Sequence, residues 1–295
     1  MKLMVCWNPN KSQKTKKHFS KQNLVFRLLD AQVIIEISDQ NLRELFTALI
    51  NAFPSLPKRT SKRFYYKIEK EADSYSIQVN GFSLPFQVEG TKVWPLIRRH
   101  LLLSLIYREK LKLLHAAALL YREKVLLLPA PSQSGKTTLT VLLLKQGFRY
   151  CSDECVLINL KKLKVIPCFF PLHIRQDMLQ NLEIQEELIR LFPEPSKEGQ
   201  IFYGIVSPES LAPEATLPLG SIIFPQWSSD GQTKLEFLKP GHAAFKFISQ
   251  LFLSKPLRQA DLSEVVEVVK RIPCYSLSVG DVKIAASLIR DLLAS

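Results

Sequence analysis

Residues 126–143 read LLLPAPSQSGKTTLTVLL: a leucine run, a short polar turn and a second apolar run. An apolar run that leads through a turn into an amphipathic segment predicts a strand, a loop and a helix in succession. The turn approximates the pattern G-x-x-x-x-G-K-[ST], in which backbone N–H groups at a helix N-terminus surround phosphate oxygens. The segment therefore predicts a phosphate-binding loop within an α/β fold.

The loop keeps the lysine and the hydroxyl of this pattern but lacks part of its glycine framework. Gly135 occupies the second glycine position, Ala130 occupies the first, and the interior is Pro131-Ser132-Gln133-Ser134. Alanine can replace glycine only where the backbone φ angle is negative or the strain is offset. Pro131 also removes one N–H donor. A decayed or coincidental motif therefore stays open as the alternative to a working site.

Four polar side chains in or near the loop suggest the chemistry. The pattern assigns Lys136 to the β- and γ-phosphates and the Thr137 hydroxyl to Mg²⁺. The first acidic residues downstream are Asp153 and Glu154, which begin 17 residues after Lys136 and precede an apolar run. Because only one short helix intervenes, this pair can fold back onto the phosphate site. The alternative is that SDE, residues 152–154, is only a turn between a helix and a strand.

Composition limits the class of protein and the kind of partner. With 295 residues, 46% hydrophobic content and only 10 glycines, the chain predicts a packed globular protein. The net charge of +13 favours anionic partners but selects none of them. The segment from Lys11 to Lys21 carries five lysines and no acid, and we interpret it as a solvated basic loop. A nucleic-acid arm would be richer in arginine and aromatic residues, so we do not expect nucleic acid as a partner.

Cysteine usage and apolar run lengths indicate a soluble, cytoplasmic protein. The five cysteines are Cys6, Cys151, Cys155, Cys168 and Cys274, and no pair has CxxC spacing. Together with the lack of a recognisable signal peptide, this predicts reduced thiols and a cytoplasmic location. The longest apolar runs fall far short of the ~20 residues that cross a bilayer, so we expect no membrane span.

The pattern along the chain predicts two parts. Residues 1–107 read as a small N-terminal α+β module, with a helix after Asp39 and a second helix beginning near Pro95. Residues 108–295 contain short apolar runs joined by tight polar turns, followed by two later helices. This texture predicts a mixed α/β fold with a hairpin-rich sheet and no regular βαβ alternation.

The stretch LLHAAALLYREKVLLLPAPSQSGKTTLTVLLLKQGFRYCSDECVLI, residues 113–158, resembles the catalytic domain of the HPr serine kinase/phosphorylase family and its HPr-kinase-related members. Four features fall in register: a histidine strand, the phosphate loop, a Gly-aromatic-Arg turn and an acidic pair. A weaker likeness extends over about residues 113–290. The resemblance implies a core similar to that of HPr kinase and phosphoenolpyruvate carboxykinase.

The resemblance also implies ATP- and Mg²⁺-dependent phosphoryl transfer to a serine hydroxyl. Asp153 and Glu154 would occupy the acidic pair, one holding the metal with Thr137 and the other accepting the hydroxyl proton. His115 would lie beside this pair and tune it, and Arg175 is a candidate cation on the phosphate side, with a surface role as the alternative. The residues implied to bind the phosphates are Ser132, Gln133, Ser134, Gly135, Lys136, Thr137 and Thr138.

Several departures from the family pattern leave the substrate open. Glu154 stands where the family often has aspartate, and Ala130 and Gln133 replace glycines of the family's loop. The glycine-rich segment associated with HPr specificity is not recognisable. The acceptor is therefore expected to be a serine on a protein, a peptide or a small metabolite. A nucleotide-binding switch or scaffold that lacks phosphotransfer is the alternative function. Related kinases are often oligomers, which leaves a homo-oligomer open.

Overall fold

The computed structural model describes residues 23–294 except 29–30, 51–61, 110, 177, 180–187, 197–198 and 253–257. The basic segment 11–21 and Cys6 lie outside the described residues. The chain divides into two compact units. One comprises Met1–Ser104 with Glu194–Glu198, and the other comprises Leu105–Pro193 with Gly199–Ser295. Within the described residues, no helix has the length and apolar character needed to cross a membrane.

The first unit contains a five-stranded sheet and two helices. The strands, which adjoin one another in chain order, are β1 (Leu24–Leu28), β2 (Ala31–Ile37), β3 (Lys62–Glu71), β4 (Ser74–Val79) and β5 (Phe82–Ser83). The helices are α1 (Gln40–Ile50) and α2 (Gly90–Glu109), of which the residues up to Ser104 belong to this unit. Strands β2 and β3 pair in parallel, whereas the other neighbours pair antiparallel. The alternating burial of β4 explains why SYSIQV forms a strand with one face on the core.

The sequence predicts the start of α1 correctly but not the start of α2. Asp39 caps α1 as expected, because its Oδ1 accepts a hydrogen bond of 2.8 Å from the Leu42 backbone N–H. The prediction that α2 begins near Pro95 is wrong, since the helix begins at Gly90 and contains this proline. Val93 and Trp94 in the preceding turn are buried. Their burial favours the helical turn before the proline, although a proline inside a helix removes one backbone hydrogen bond.

The second unit is built on a nine-stranded mixed sheet. Its main order is β6-β10-β11-β15-β8-β7-β9, and β17 lies beside β15 with β16 on its other side. The strands are β6 (Lys112–Leu114), β7 (Ala116–Tyr121), β8 (Lys124–Pro129), β9 (Arg149–Ser152), β10 (Val156–Asn159), β11 (Lys164–Ile166), β15 (Leu217–Trp227), β16 (Lys234–Phe237) and β17 (Cys274–Val279). The hairpins β7–β8 and β10–β11 are antiparallel, whereas β15 pairs in parallel with both β8 and β17. The mixed α/β class expected from the sequence is confirmed.

Further strands and helices complete the described structure. A three-stranded sheet has the order β12 (Leu172–Arg175), β14 (Gly199–Val206) and β13 (Leu188–Ser196). The helices are α3 (Lys136–Lys145), α4 (Pro240–Ile248), α5 (Gln259–Arg271) and α6 (Val282–Ala294), and a 3₁₀ turn covers Pro208–Ser210. Leu126, Leu127 and Leu128 of β8 are fully buried. The leucine run is therefore a central strand covered on both faces, which explains its lack of alternation.

Strand register brings three chain segments to one end of the sheet. Ala116 pairs with Pro129, so His115, the residue before β7, lies opposite Ala130, the first residue after β8. Leu114 pairs with Val156 and Ala118 pairs with Ser152. The connection 153–155 therefore lies opposite residues 115–117. The fold thus gathers the loop after β8, the histidine between β6 and β7, and the acidic connection between β9 and β10.

Candidate functional site

The site is built around the loop between β8 and α3. Its last residue, Gly135, is the N-cap of α3 and has φ +87° and ψ 10°. Only glycine adopts this left-handed conformation without a steric penalty. A Cβ atom at this position would also lie 3.4 Å from Cζ2 of Trp227. The glycine kept from the motif is therefore required by the turn, whereas a Cβ atom here would make only an ordinary contact with Trp227.

The two glycine substitutions in the loop have different structural consequences. Ala130 is buried and does not have a positive φ angle, so its methyl group imposes no backbone strain. Gln133 has φ +65°, a left-handed conformation that costs a non-glycine residue about 1–2 kcal/mol. The backbone strain of the loop thus lies at Gln133. The side chain of Gln133 is exposed, so the strain does not arise from packing of a buried glutamine.

Lys136 begins α3 and closes the loop on itself. Its Nζ donates hydrogen bonds of 2.8 Å to the backbone carbonyls of Ala130 and Pro131. Burial lowers the pKa of the ammonium, while the nearby Asp153 and Glu154 oppose this effect. An ammonium has three N–H donors, so Lys136 can hold the loop closed and still approach an anion.

The Thr137 hydroxyl and Asp153 form the polar centre of the site. Oγ1 of Thr137 donates a 2.8 Å hydrogen bond to Oδ2 of Asp153. The Asp153 side chain is buried, and its Oδ1 has no hydrogen-bond partner among the described residues. Burial, with a smaller effect from Glu154, raises the pKa of this carboxyl to about 6, although Thr137 and Lys136 act against the shift. A carboxyl group that titrates near neutral pH can serve as a general base or bind a cation.

Glu154 has a histidine beside it that sequence reasoning did not assign to the site. Its carboxylate lies 3.5 Å from Nδ1 of His173 on β12. The His173 ring contacts Tyr203 edge to face, with 4.8 Å between ring centroids. His173 therefore lies beside the acidic pair. Only the pairing of β12 with β14 and the fold of the sheets reveal this neighbour, 19 residues from Glu154 in the chain.

The remaining two candidates are His115, which lies between β6 and β7, and Arg175, which lies on β12. Continuing the antiparallel pairing of Leu114 with Val156 by one residue places His115 opposite Cys155. The His115 ring packs edge to face with Phe252, with 6.1 Å between the ring centroids. Arg175 follows His173 by two residues on β12, on the same, more open side of the strand. The tuning role of His115 and the phosphate-side role of Arg175 remain predictions.

The cysteines that bracket the acidic pair are packing residues. Cys151, Cys155 and Cys168 are all buried and free. Burial raises the pKa of the Cys151 thiol to about 12, so its reactive thiolate form is suppressed. Cys151 therefore supplies no thiolate nucleophile to the site.

The oxygen atoms at the polar centre fit a magnesium ion. Within the described part of the chain, no group of three or more His, Cys, Asp or Glu residues could hold a metal ion by itself. Mg²⁺ is ordinarily held by one or two carboxylates together with substrate phosphates and water. The unpartnered Oδ1 of Asp153 beside the Thr137 hydroxyl matches this requirement.

A cleft of about 460 Å³ adjoins the loop on the side of β15. Trp227 ends β15, and its Nε1 donates a 3.1 Å hydrogen bond to the carbonyl of Gln133. Sequence reasoning missed Trp227, because it lies 94 residues from Gln133 and reaches the loop only through the pairing of β15 with β8. The cleft is lined by Pro129, Ala130, Pro131, Ser132, Gln133, Ser134, Phe224, Pro225, Gln226, Trp227, Lys246, Ser249 and Gln250.

Comparison with known proteins yields distant structural similarity and no match in sequence. No family model matches the chain, and no curated protein matches it. Among solved structures, the chain is similar to the Hpr(Ser) kinase/phosphatase from Coxiella burnetii, with 10% sequence identity and a TM-score of 0.31. That alignment covers 62% of this chain and 90% of the other. A similarity at this level carries no inference about activity, so the function is inferred from the site itself.

Proposed function

We propose that this protein is an ATP- and Mg²⁺-dependent kinase that transfers the γ-phosphate to a serine hydroxyl of a protein, peptide or small metabolite. One observation carries the proposal: at the start of α3, the Thr137 hydroxyl is hydrogen-bonded to the buried carboxyl of Asp153. The other oxygen of that carboxyl has no partner among the described residues. Lys136 adjoins this pair, so a cation, a metal-binding hydroxyl and an acid meet at one helix N-terminus.

The loop supplies the phosphate-binding groups. The backbone N–H groups of residues 132–138 and the positive end of the α3 dipole favour phosphate oxygens at this point. Lys136 would exchange a carbonyl partner for a phosphate oxygen. Thr137 and Asp153 would hold Mg²⁺, which neutralises charge on the β- and γ-phosphates. Phosphoryl transfer depends mainly on such positioning and charge neutralisation, so this set of groups suits the reaction.

The acidic pair supplies the proton acceptor. Asp153 is buried and bonded to Thr137, which suits the metal-linked role, whereas Glu154 is only partly buried. Glu154 would therefore accept the proton of the serine hydroxyl as the new bond to phosphorus forms. His173 lies close enough to orient that carboxylate. Arg175 would contact the phosphate side, and His115 would tune the pair from the neighbouring strand.

Transfer of labelled γ-phosphate from ATP to a library of serine peptides tests the proposal. Hydrolysis of ATP to inorganic phosphate is measured in parallel. Lys136→Met and Asp153→Asn should each lower the rate by about 100-fold or more, because each removes a charged group from the site. The matched controls are Lys145→Met, at the exposed far end of α3, and Asp291→Asn, at an exposed position on α6. Wild-type rates in either site variant would contradict the proposal.

A nucleotide-binding switch without phosphotransfer is the second candidate. It is favoured by the strained Gln133 in place of a glycine and by the two loop carbonyls that already occupy Lys136. This function predicts Mg²⁺-dependent ATP binding with no labelled product from any acceptor. It also predicts that Glu154→Gln leaves binding and nucleotide turnover unchanged, whereas the kinase proposal predicts loss of transfer in this variant.

A further inference from the structure

We infer that the cleft between the loop and the end of β15 binds the nucleoside end of the phosphate donor, with its base stacked on Trp227. This inference rests on the proposed function, because it requires the loop to bind a nucleoside triphosphate. It adds a binding subsite and names its aromatic residue.

The two sides of the loop present different chemistry. Thr137, Asp153 and Glu154 lie at the start of α3 and on the acidic connection, and none of them lines the cleft. The cleft is lined instead by the first half of the loop, residues 129–134, together with β15 and the end of α4. Phosphates held across the loop would direct the γ-phosphate toward the acidic pair. The nucleoside would then extend into the cleft.

Trp227 is fixed in position yet accessible to a ligand. Its indole N–H is bonded to the Gln133 carbonyl at 3.1 Å, and the ring packs against Gly135. Half of the side chain, 50%, remains exposed. An aromatic ring held at its edge by the protein and open elsewhere is a stacking surface, which any nucleobase can use because every base has a π-face.

Polar groups in the cleft complement a nucleotide. Lys246 on α4 supplies a cation, and Gln226 and Gln250 supply amide donors and acceptors. The Ser134 hydroxyl is buried, lines the cleft and has no hydrogen-bond partner among the described residues. A volume of about 460 Å³ lies within the range of pockets that bind small molecules. These features fit an aromatic base attached to an anionic group.

Calorimetric titration of the full chain with Mg²⁺–ATP and, separately, with inorganic tripolyphosphate tests the inference. Trp227→Ala should weaken ATP binding roughly 10- to 100-fold, the loss expected for one stacked base, and leave tripolyphosphate binding unchanged. Trp227→Phe, which keeps an aromatic ring, should recover most of the ATP affinity. Phe237→Ala removes another exposed aromatic residue, outside the cleft, and serves as the control.

The outcomes separate this inference from the proposed function. Equal losses for both ligands in Trp227→Ala would mean that the indole only shapes the loop, and would overturn the inference. No loss for ATP would overturn it as well. Lys136→Met should weaken both ligands. Suppose Lys136→Met weakens the binding of both ligands while Trp227→Ala does not weaken ATP binding more than tripolyphosphate binding. The nucleoside subsite is then refuted and the phosphate site is supported. If Lys136→Met binds both ligands as wild type does, the proposed function itself fails.

Discussion

Asp153 should destabilise the folded protein at neutral pH, because the carboxyl is buried and charged there. Replacing it with asparagine keeps the size of the side chain and an oxygen that can accept the Thr137 hydrogen bond. We therefore expect Asp153→Asn to gain stability relative to wild type as pH rises, while it loses phosphotransfer. This combination is typical of a residue retained for function at the expense of stability.

The magnitude follows from the difference between the folded and unfolded pKa values. The ordinary carboxyl pKa is 3.8, and burial raises the pKa of Asp153 to about 6. Between these values the folded state binds more protons than the unfolded state, so stability falls as pH rises. The penalty is absent well below pH 3.8 and complete above about pH 6, where the shift amounts to about 3 kcal/mol.

Urea unfolding of both proteins at about pH 4.5 and about pH 7.5 measures this effect. Over that interval the free energy of unfolding of Asp153→Asn should rise by about 2 kcal/mol relative to wild type. The comparison cancels the titration of other carboxyls and any pH-independent cost of packing the amide. Asp291→Asn removes an exposed carboxylate, which pairs with Arg290, and serves as the surface control for the loss of one charge.

A constant difference between Asp153→Asn and wild type across this pH range would refute the reasoning. So would a difference that shrinks as pH rises, because that would show a carboxyl whose pKa is lowered on folding. In either case Asp153 would not be the buried, proton-retaining acid that the site requires.

Two further substitutions test individual parts of the site. Gln133→Gly should raise the free energy of unfolding by about 1 kcal/mol, because glycine adopts φ +65° without strain. Gln146 has φ −96°, so Gln146→Gly should not raise the free energy of unfolding in the same assay. An increase equal to that of Gln133→Gly would contradict the proposed backbone strain at Gln133. Thr137→Val should raise the Mg²⁺ concentration needed for half-maximal ATP binding by about 10-fold, because the hydroxyl beside Asp153 is lost. An unchanged Mg²⁺ dependence in a titration at fixed ATP would remove Thr137 from the metal site.

The parts of the site that sequence predicts are those encoded within a short stretch of chain. Lys136 and Thr137 follow from one motif, and Asp153 lies a single helix away, so local spacing was enough to bring it to Thr137. The hairpin β7–β8 was predictable as well, since two apolar runs flank a short polar turn.

The parts that sequence did not predict depend on sheet order. Trp227 and His173 reach the site on β15 and β12, whose neighbours in the sheets no local pattern specifies. Likewise, the start of α2 was misplaced, because the burial of Trp94 outweighs the usual preference of Pro95 for the first turn. In each case packing between segments distant in the chain determines the position of the residue or the helix start. The spacing of residues in one sequence does not show which distant segments pack together.

A crystal structure of the full chain with Mg²⁺ and a nonhydrolysable ATP analogue tests the central claim most directly. The account predicts that residues 132–138 enclose the phosphates and that the metal contacts Thr137 Oγ1 and Asp153. It also predicts that Lys136 Nζ exchanges one of its two carbonyl partners, Ala130 or Pro131, for a phosphate oxygen. An analogue bound elsewhere, or a Lys136 that keeps both carbonyls while the loop holds no phosphate, would contradict it.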